Sequence, residues 1–220
     1  MVIRIIKSFY LVPINKINLK KAKIRLSMII LDVDDLKNAK LTLTLILINV
    51  IFYIVFLSPV ASEYLILVVQ INYEIIYNYE IWRLFTSMFL HSDPLHLFSN
   101  MFGLLLFGAL VENNFSKLEF LVIYFISGLL GSLFSLLFLP LGSISLGASG
   151  AIFGLLGSAF IIIALENPSL LILALMYVMF FLTASFAPGI NAWAHIFGLI
   201  GGIFLGYVFR KHYHPKVDYY

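Results

Sequence analysis

One serine stands between glycines in the run "LGASGAIFG", where Gly147, Ala148, Ser149 and Gly150 lead into a long apolar stretch. A serine hydroxyl is hardly ionised at neutral pH and becomes a nucleophile only when a base takes its proton. His195, in the run "AHIFGLIGG", is the natural base. A third set consists of His91, His96 and Asn100. His96 and Asn100 are four residues apart, so on a helix they share one face, one turn above the other. A neutral imidazole N–H and an amide NH₂ are both donors, and two donors aimed at one point make a site for a developing oxyanion. Glycines beside Ser149 let backbone approach closely. The first N–H groups of a helix that begins there have no intrahelical partner and can add to such a site. The chemistry these types support is acyl transfer through a Ser-His dyad. No Asp or Glu lies in the outer half of the apolar stretches to complete a triad; Asp93 sits beside one of them, and Glu112 and Glu166 fall at the opposite ends.

Other readings of the same residues compete. Gly150 and Gly154 are spaced by four, as are Gly198, Gly202 and Gly206, which is the spacing of closely packed membrane helices. Close packing and catalysis are compatible, since an approach of these two stretches carries His195 toward Ser149. His96 and Asn100 taken singly suit helix-packing polars satisfied by backbone carbonyls. Ser127, Ser132, Ser135, Ser143, Ser145 and Ser185 are rival serines without the glycine setting. His91, His96 and His195 could in principle converge on a zinc ion, but there is no H-E-x-x-H pattern and no intramembrane carboxylate, and three imidazoles explain neither the Gly-Ala-Ser-Gly turn nor Asn100. No metal and no cofactor are expected.

The elements that must position these residues follow from composition. Hydrophobic residues make up 62% of 220 positions, charged residues 11%, and the mean hydropathy is +1.03. That lies outside the range of soluble globular domains and identifies a polytopic, all-α membrane protein. With no cysteine, disulfides, thiolate nucleophiles and Cys-ligated metals are excluded. Crossing a bilayer takes roughly 17 to 25 apolar residues, and six stretches come near that length, at 41–60, 95–112, 118–139, 147–165, 169–186 and 191–209. Short connections after the second to fifth make one bundle of antiparallel neighbours. The connection 61–94 is long and rich in Tyr and Trp, which predicts a structured segment lying in the membrane interface.

All of the 14 Lys and Arg except Arg83 fall in residues 1–40, near residue 115, or in the C-terminal tail. Cationic loops stay in the cytoplasm, so both termini are expected there. The domain organisation expected is a basic cytoplasmic region 1–40, a six-helix catalytic domain 41–210 and a tail 211–220. The first forty residues suit a cytoplasmic cap, a helix on an anionic membrane surface, or equally a solvated basic arm. They lack the apolar core and cleavage site of a signal peptide and are expected to be retained. In this orientation the second, fourth and sixth spans begin at the outer face, which puts His91, His96, Asn100, Ser149 and His195 at one depth. Packing polars have no reason to share a depth on three helices.

Three motifs, "WRLFTSMFLHSDPLHLFSNMFG" from Trp82, "GASGAIFG" from Gly147 and "AHIFGLIGG" from Ala194, occur in this order on alternate spans. In them the chain resembles the rhomboid intramembrane serine proteases over about residues 41–210, in the family's six-span prokaryotic form. The resemblance implies Ser149 as nucleophile and His195 as general base and acid. It further implies His96 and Asn100 as side-chain donors to the oxyanion, with the Ser149 N–H as a third donor, and His91 and Gly147 in support. Trp82 and Arg83 match a pair in the long first loop, Glu112 a structural carboxylate, and Gly198 and Gly202 the small residues where the dyad helices touch. Phe153 stands where many bacterial members carry a Tyr that stacks on the histidine. The resemblance also implies a membrane-interface hairpin for the first loop, and a substrate gate formed by span five with the connection near "FAPGIN". The expected function is endoproteolysis of transmembrane-helix proteins near the outer face of a cell membrane. The lipid bilayer is the medium, and no nucleic-acid partner is expected. A non-catalytic rhomboid-like binder of membrane helices, and a transporter or channel, are the alternatives. The first typically lacks the Ser or the His, and the second requires charges through mid-membrane that are almost absent here.

Overall fold

The structure, a computed structural model, describes residues 33–166 and 168–211. Most of the expected basic region 1–40, and the tail beyond Lys211, lie outside the described residues. Six long helices fall on the six apolar stretches: α1 (Lys40–Phe56), α2 (Pro94–Asn114), α3 (Lys117–Phe138), α4 (Ser149–Glu166), α5 (Leu171–Ala184) and α6 (Ala192–Lys211). A short helix, Val33–Asn38, precedes α1.

Among the described residues, α2, α3 and α6 are long and apolar enough to cross a membrane, and α1 meets the criterion jointly with Pro59–Leu67, to which it is bent by 97°. The first apolar stretch is thus not one straight span over 41–60: Ser58 and Pro59 end it, because Pro cannot continue the hydrogen-bond ladder of a helix interior. α4 and α5 are shorter apolar helices.

α4 is the axis of the bundle. Residues 150–159 are buried without a break, so this helix has no polar face, and an all-round apolar sequence is what such a position demands. It packs most extensively against α6 and then α3, with α3 also against α6. The α4–α6 contact is close because side chains are missing from it. A Cβ on Gly198 would run into the Gly150 carbonyl and one on Gly202 into the Gly154 carbonyl. The Ser158 hydroxyl donates to the Gly202 carbonyl (2.7 Å) across the same seam. α5, in contrast, buries only Ala174 and Val178.

Helix starts follow ordinary capping chemistry. Asp93 caps α2 by accepting from the His96 N–H (2.9 Å), with Pro94 at the first position. Ser116 and Glu119 form a reciprocal capping box on α3. At the other end of α2, the buried Glu112 carboxylate accepts from the Leu41 N–H (2.9 Å), the Thr42 N–H (2.8 Å) and the Thr42 hydroxyl (2.8 Å). It satisfies donors of the first turn of α1, which have no partner within their own helix. Between these ends α2 contains a π-helical turn, Leu104–Gly108, which re-phases its faces.

The connection between α1 and α2 is structured, with short helices and a two-residue strand β1 (Gln70–Ile71). β1 pairs antiparallel with β2 (Ile144–Ser145), with Gln70 opposite Ser145. This pairing departs from the all-helical expectation. It ties the long first connection to the segment that enters α4. Buried amides reinforce the tie. Gln70 donates to the Ser132 carbonyl (3.1 Å) and Asn72 to the carbonyls of Leu139 and Pro140 (3.2 Å each), at the end of α3. Arg83, itself buried, pairs with Glu80 and donates to the carbonyls of Ile66 and Val69. Trp82 donates from its indole to Leu67 (3.2 Å).

Candidate active site

Ser149 is the first residue of α4. The turn before it depends on Gly147, whose φ of +126° is a conformation L side chains rarely adopt. Its N–H donates to the Ser87 carbonyl (2.9 Å). A Cβ at this position would also lie 2.9 Å from His96 Nε2. Gly147 therefore supplies both the turn and the space in which the His96 ring reaches toward Ser149. The first intrahelical bond of α4 runs from Ile152 to the Ala148 carbonyl (3.0 Å), so the N–H groups of Ser149, Gly150 and Ala151 precede it and have no partner within the helix.

His195 lies one turn into α6, and the start of that helix is anchored by Asn191. Its side-chain oxygen accepts from the Ala194 N–H (3.1 Å), and its NH₂ donates to the hydroxyls of Ser135 (2.8 Å) and Ser145 (3.0 Å). One amide thereby joins α3, β2 and α6. The outcome is a distance of 2.7 Å between Ser149 Oγ and His195 Nε2, within hydrogen-bond reach for a nucleophile and its base. Phe153, one turn further along α4, lies flat against the imidazole, centroids 4.2 Å apart and planes within 9°. The opposite ring nitrogen, Nδ1, is 2.7 Å from the hydroxyl of Ser185, just beyond the end of α5. His195 and Ser185 are both buried.

His96 and Asn100 lie one turn apart on α2, where Asn100 Nδ2 donates to the His96 carbonyl (2.9 Å). An amide carries two protons, so one remains for another acceptor. His96 Nδ1 meets the Ser92 hydroxyl at 3.1 Å. The Asp93 carboxyl, outside the helix, is held below the usual carboxylate range by the His96 N–H and the Ser92 hydroxyl. His91 packs edge-on against the His96 ring, centroids 5.1 Å apart. It is buried, and neither of its ring nitrogens has a hydrogen-bond partner among the described residues. Burial, then the neighbouring His96, pushes its imidazole down to about 3, so the ring is neutral at physiological pH. A cavity of about 30 Å³ adjoins Ser149, lined in part by Gln70, Ser132, Ser135, Ser145 and Gly150. Its lining is mixed, with polar side chains among apolar ones, and it has the room a water molecule needs.

The structure thus joins Ser149, His195 and Phe153 directly, brings His96 against Gly147, and sets Asn100 and His91 beside His96. Trp82, Arg83 and Glu112 lie away from this cluster, in the contacts of the first connection and of α1 described above, while Gly198 and Gly202 form the α4–α6 seam. Among the described residues no group of three or more His, Asp or Glu could hold a metal ion. Asn191 and Ser185 are partners of the site for which the sequence signalled no such role, Ser185 reading there only as a rival serine. Asn191, four residues before His195, had a readable signal as a polar residue preceding an apolar helix. Ser185 had none beyond its place at the end of an apolar stretch.

Comparison with known proteins agrees with the geometry. A family model described as the Rhomboid domain matches residues 78–212. RHOMBOID-like protein 6, mitochondrial, of Arabidopsis thaliana is 39% identical over 142 residues, 61% of this chain and 46% of that protein. "Putative rhomboid protease YdcA" of Bacillus subtilis (strain 168) is 34% identical over 140 residues, 60% of this chain and 68% of that protein. "Inactive RHOMBOID-like protein 8" of Arabidopsis thaliana is 42% identical over 130 residues, 57% of this chain and 36% of that protein. The chain spans less than half of each of the two Arabidopsis relatives. The family match runs from the long first connection to the end of α6 and so takes in every residue of the cluster around Ser149: the chain is a multi-pass membrane protein of the rhomboid family.

Proposed function

We propose that this chain is an intramembrane serine endopeptidase that cuts transmembrane segments through a Ser149–His195 dyad. The observation that carries the proposal is the 2.7 Å contact between Ser149 Oγ and His195 Nε2, at a helix start whose N–H groups are free of intrahelical partners. His195 takes the Ser149 proton as the hydroxyl attacks a peptide carbonyl. The oxyanion is held by the Ser149 N–H with His96 and Asn100, and His91 and Gly147 support that arrangement. His195 then gives its proton to the leaving amine, and an acyl-enzyme remains. Water entering beside Ser149 hydrolyses it, and the adjoining cavity, with several polar side chains in its lining, is suited to hold that water.

The proposed architecture has six spans, residues 41–210 as the catalytic domain, and both termini in the cytoplasm of a cell. The site then opens toward the outer face. A helical peptide bond hides its carbonyl, so the substrate is a transmembrane protein whose helix unwinds locally near that face. The reaction needs no cofactor, because base, nucleophile and donors all come from the chain.

The name of one relative includes the word inactive, which raises the alternative of a helix-binding protein without catalysis. The presence and contact of Ser149 and His195 favour the protease. Cleavage of a fluorescent transmembrane substrate in proteoliposomes tests it: the unaltered chain should cut and Ser149→Ala should not. Undiminished cleavage by Ser149→Ala would end this reading.

A further inference from the structure

We infer that Ser185 is a positioning residue for His195, fixing the ring in the tautomer whose Nε2 lone pair faces Ser149. The inference rests on the dyad proposed above and concerns how its base is prepared. Three hydrogen-bonding groups stand in a row: Ser149 Oγ lies 2.7 Å from His195 Nε2, His195 Nδ1 lies 2.7 Å from Ser185 Oγ, and Ser185 Oγ donates to the Phe181 carbonyl at 2.8 Å. A neutral imidazole carries one proton, and the two distances alone do not say on which nitrogen it sits.

The end of α5 decides it. Phe181 is in the last turn of the helix, where carbonyls have no intrahelical donor. The N–H that would reach it, that of Ser185, turns instead to the Leu182 carbonyl (3.0 Å). The Ser185 hydroxyl proton is therefore the donor to Phe181. With its one proton committed, Ser185 Oγ meets Nδ1 only as an acceptor, so Nδ1 carries the N–H. Nε2 is left bare and accepts from Ser149. The reverse arrangement would put the ring proton between Nε2 and Ser149, turn the Ser185 hydroxyl to Nδ1 and leave the Phe181 carbonyl unpaired. An unpaired carbonyl away from water is costly, and although the Phe181 carbonyl is only partly buried, Ser185 beside it is only 2% exposed, which limits the access of water to replace the bond.

The same hydrogen bond serves the next step. When Nε2 takes the Ser149 proton, the imidazolium donates from both nitrogens, and Ser185 remains the acceptor at Nδ1. A neutral hydroxyl here does the orienting work that a buried carboxylate does in a triad, with less electrostatic support. It is supplied by α5, a helix that otherwise buries little.

The test uses the full chain labelled with ¹⁵N-histidine, together with Ser185→Ala and Ser185→Thr. The His195 signals are identified by their disappearance in His195→Ala. The expected spectrum of the unaltered chain shows Nδ1 protonated and Nε2 bare. In Ser185→Ala the two tautomers should mix, and kcat on a transmembrane substrate should fall about three- to tenfold, the scale of one neutral hydrogen bond, with KM unchanged. Ser185→Thr, which keeps the hydroxyl, should recover both. A protonated Nε2 in the unaltered chain, an undiminished kcat in Ser185→Ala, or a loss that Thr does not recover would overturn the assignment. The ¹⁵N spectrum of the unaltered chain decides the tautomer even if Ser185→Ala fails to fold. It also does so if the chain cleaves nothing, so failure of the protease reading is seen separately.

Discussion

The Phe153 ring lies parallel to the His195 imidazole, with centroids 4.2 Å apart and planes 9° from parallel. One turn of α4 separates Phe153 from Ser149, so the helix that presents the proposed nucleophile also presents the surface on which the proposed base rests. Stacked aromatic pairs contribute about 0.5–1.5 kcal/mol beyond simple burial. Phe153→Ala should therefore lower kcat about two- to tenfold, while Phe153→Tyr, which keeps the ring, should leave it close to that of the unaltered chain. Steady-state cleavage of a reconstituted substrate measures both. An equal loss in both variants would mean that the stack does not position the base.

The seam between α4 and α6 makes a second prediction, because Gly202 has no room for a side chain. In Gly202→Val the added carbons meet the Gly154 carbonyl, and overpacking of this kind costs about 1–3 kcal/mol. The expected result is a lower Tm in detergent and a lower kcat, since α6 carries His195 away from Ser149 as it yields. Gly142, around which a Cβ would meet nothing within 4 Å, provides the control: Gly142→Ala should change stability by less than about 0.5 kcal/mol.

The proposed oxyanion donors make a third. Asn100→Ala should reduce kcat by about tenfold to a thousandfold with little change in KM, as expected for a donor used in the transition state. His96→Ala should do the same. An unchanged kcat in Asn100→Ala would remove that residue from the oxyanion assignment.

His91 predicts a pH dependence of stability. Its folded value of about 3 lies below the ordinary 6.5, so between these limits the unfolded chain binds a proton that the folded chain does not. Stability is then full above pH 6.5 and is lost as pH falls toward 3. Thermal unfolding in detergent across this range should show the decline, and His91→Phe should flatten it. An equally steep decline in His91→Phe would assign the effect to other groups.

What was legible in the residues divides along physical lines. The six helices lie where apolar stretches place them, because the length of an apolar run is a strong signal in a chain this hydrophobic. Ser149 and His195 were legible as a pair, since glycines flank the serine and both residues stand near the start of long apolar stretches; the structure brings them to 2.7 Å. The bend after Phe56 was signalled by Ser58 and Pro59, yet the apolar residues run on beyond it and so extended the expected first span. The pairing of β1 with β2 involves two residues on each side, too few for any alternating pattern. Asn191 and Ser185 act through contacts between segments distant in sequence, with Ser135, Ser145 and His195. Such contacts follow from how α3, α5 and α6 pack, and no local spacing encodes them.

The most direct measurement of the central claim is reaction of the purified, reconstituted chain with a fluorophosphonate, followed by mass spectrometry of the adduct. The account predicts one modified residue, Ser149, with labelling lost in His195→Ala, because only a hydroxyl that donates to a base reacts with such reagents at neutral pH, and Ser185, at the other ring nitrogen, donates to the Phe181 carbonyl instead. An adduct on another serine, or active cleavage with no adduct on Ser149, would contradict it.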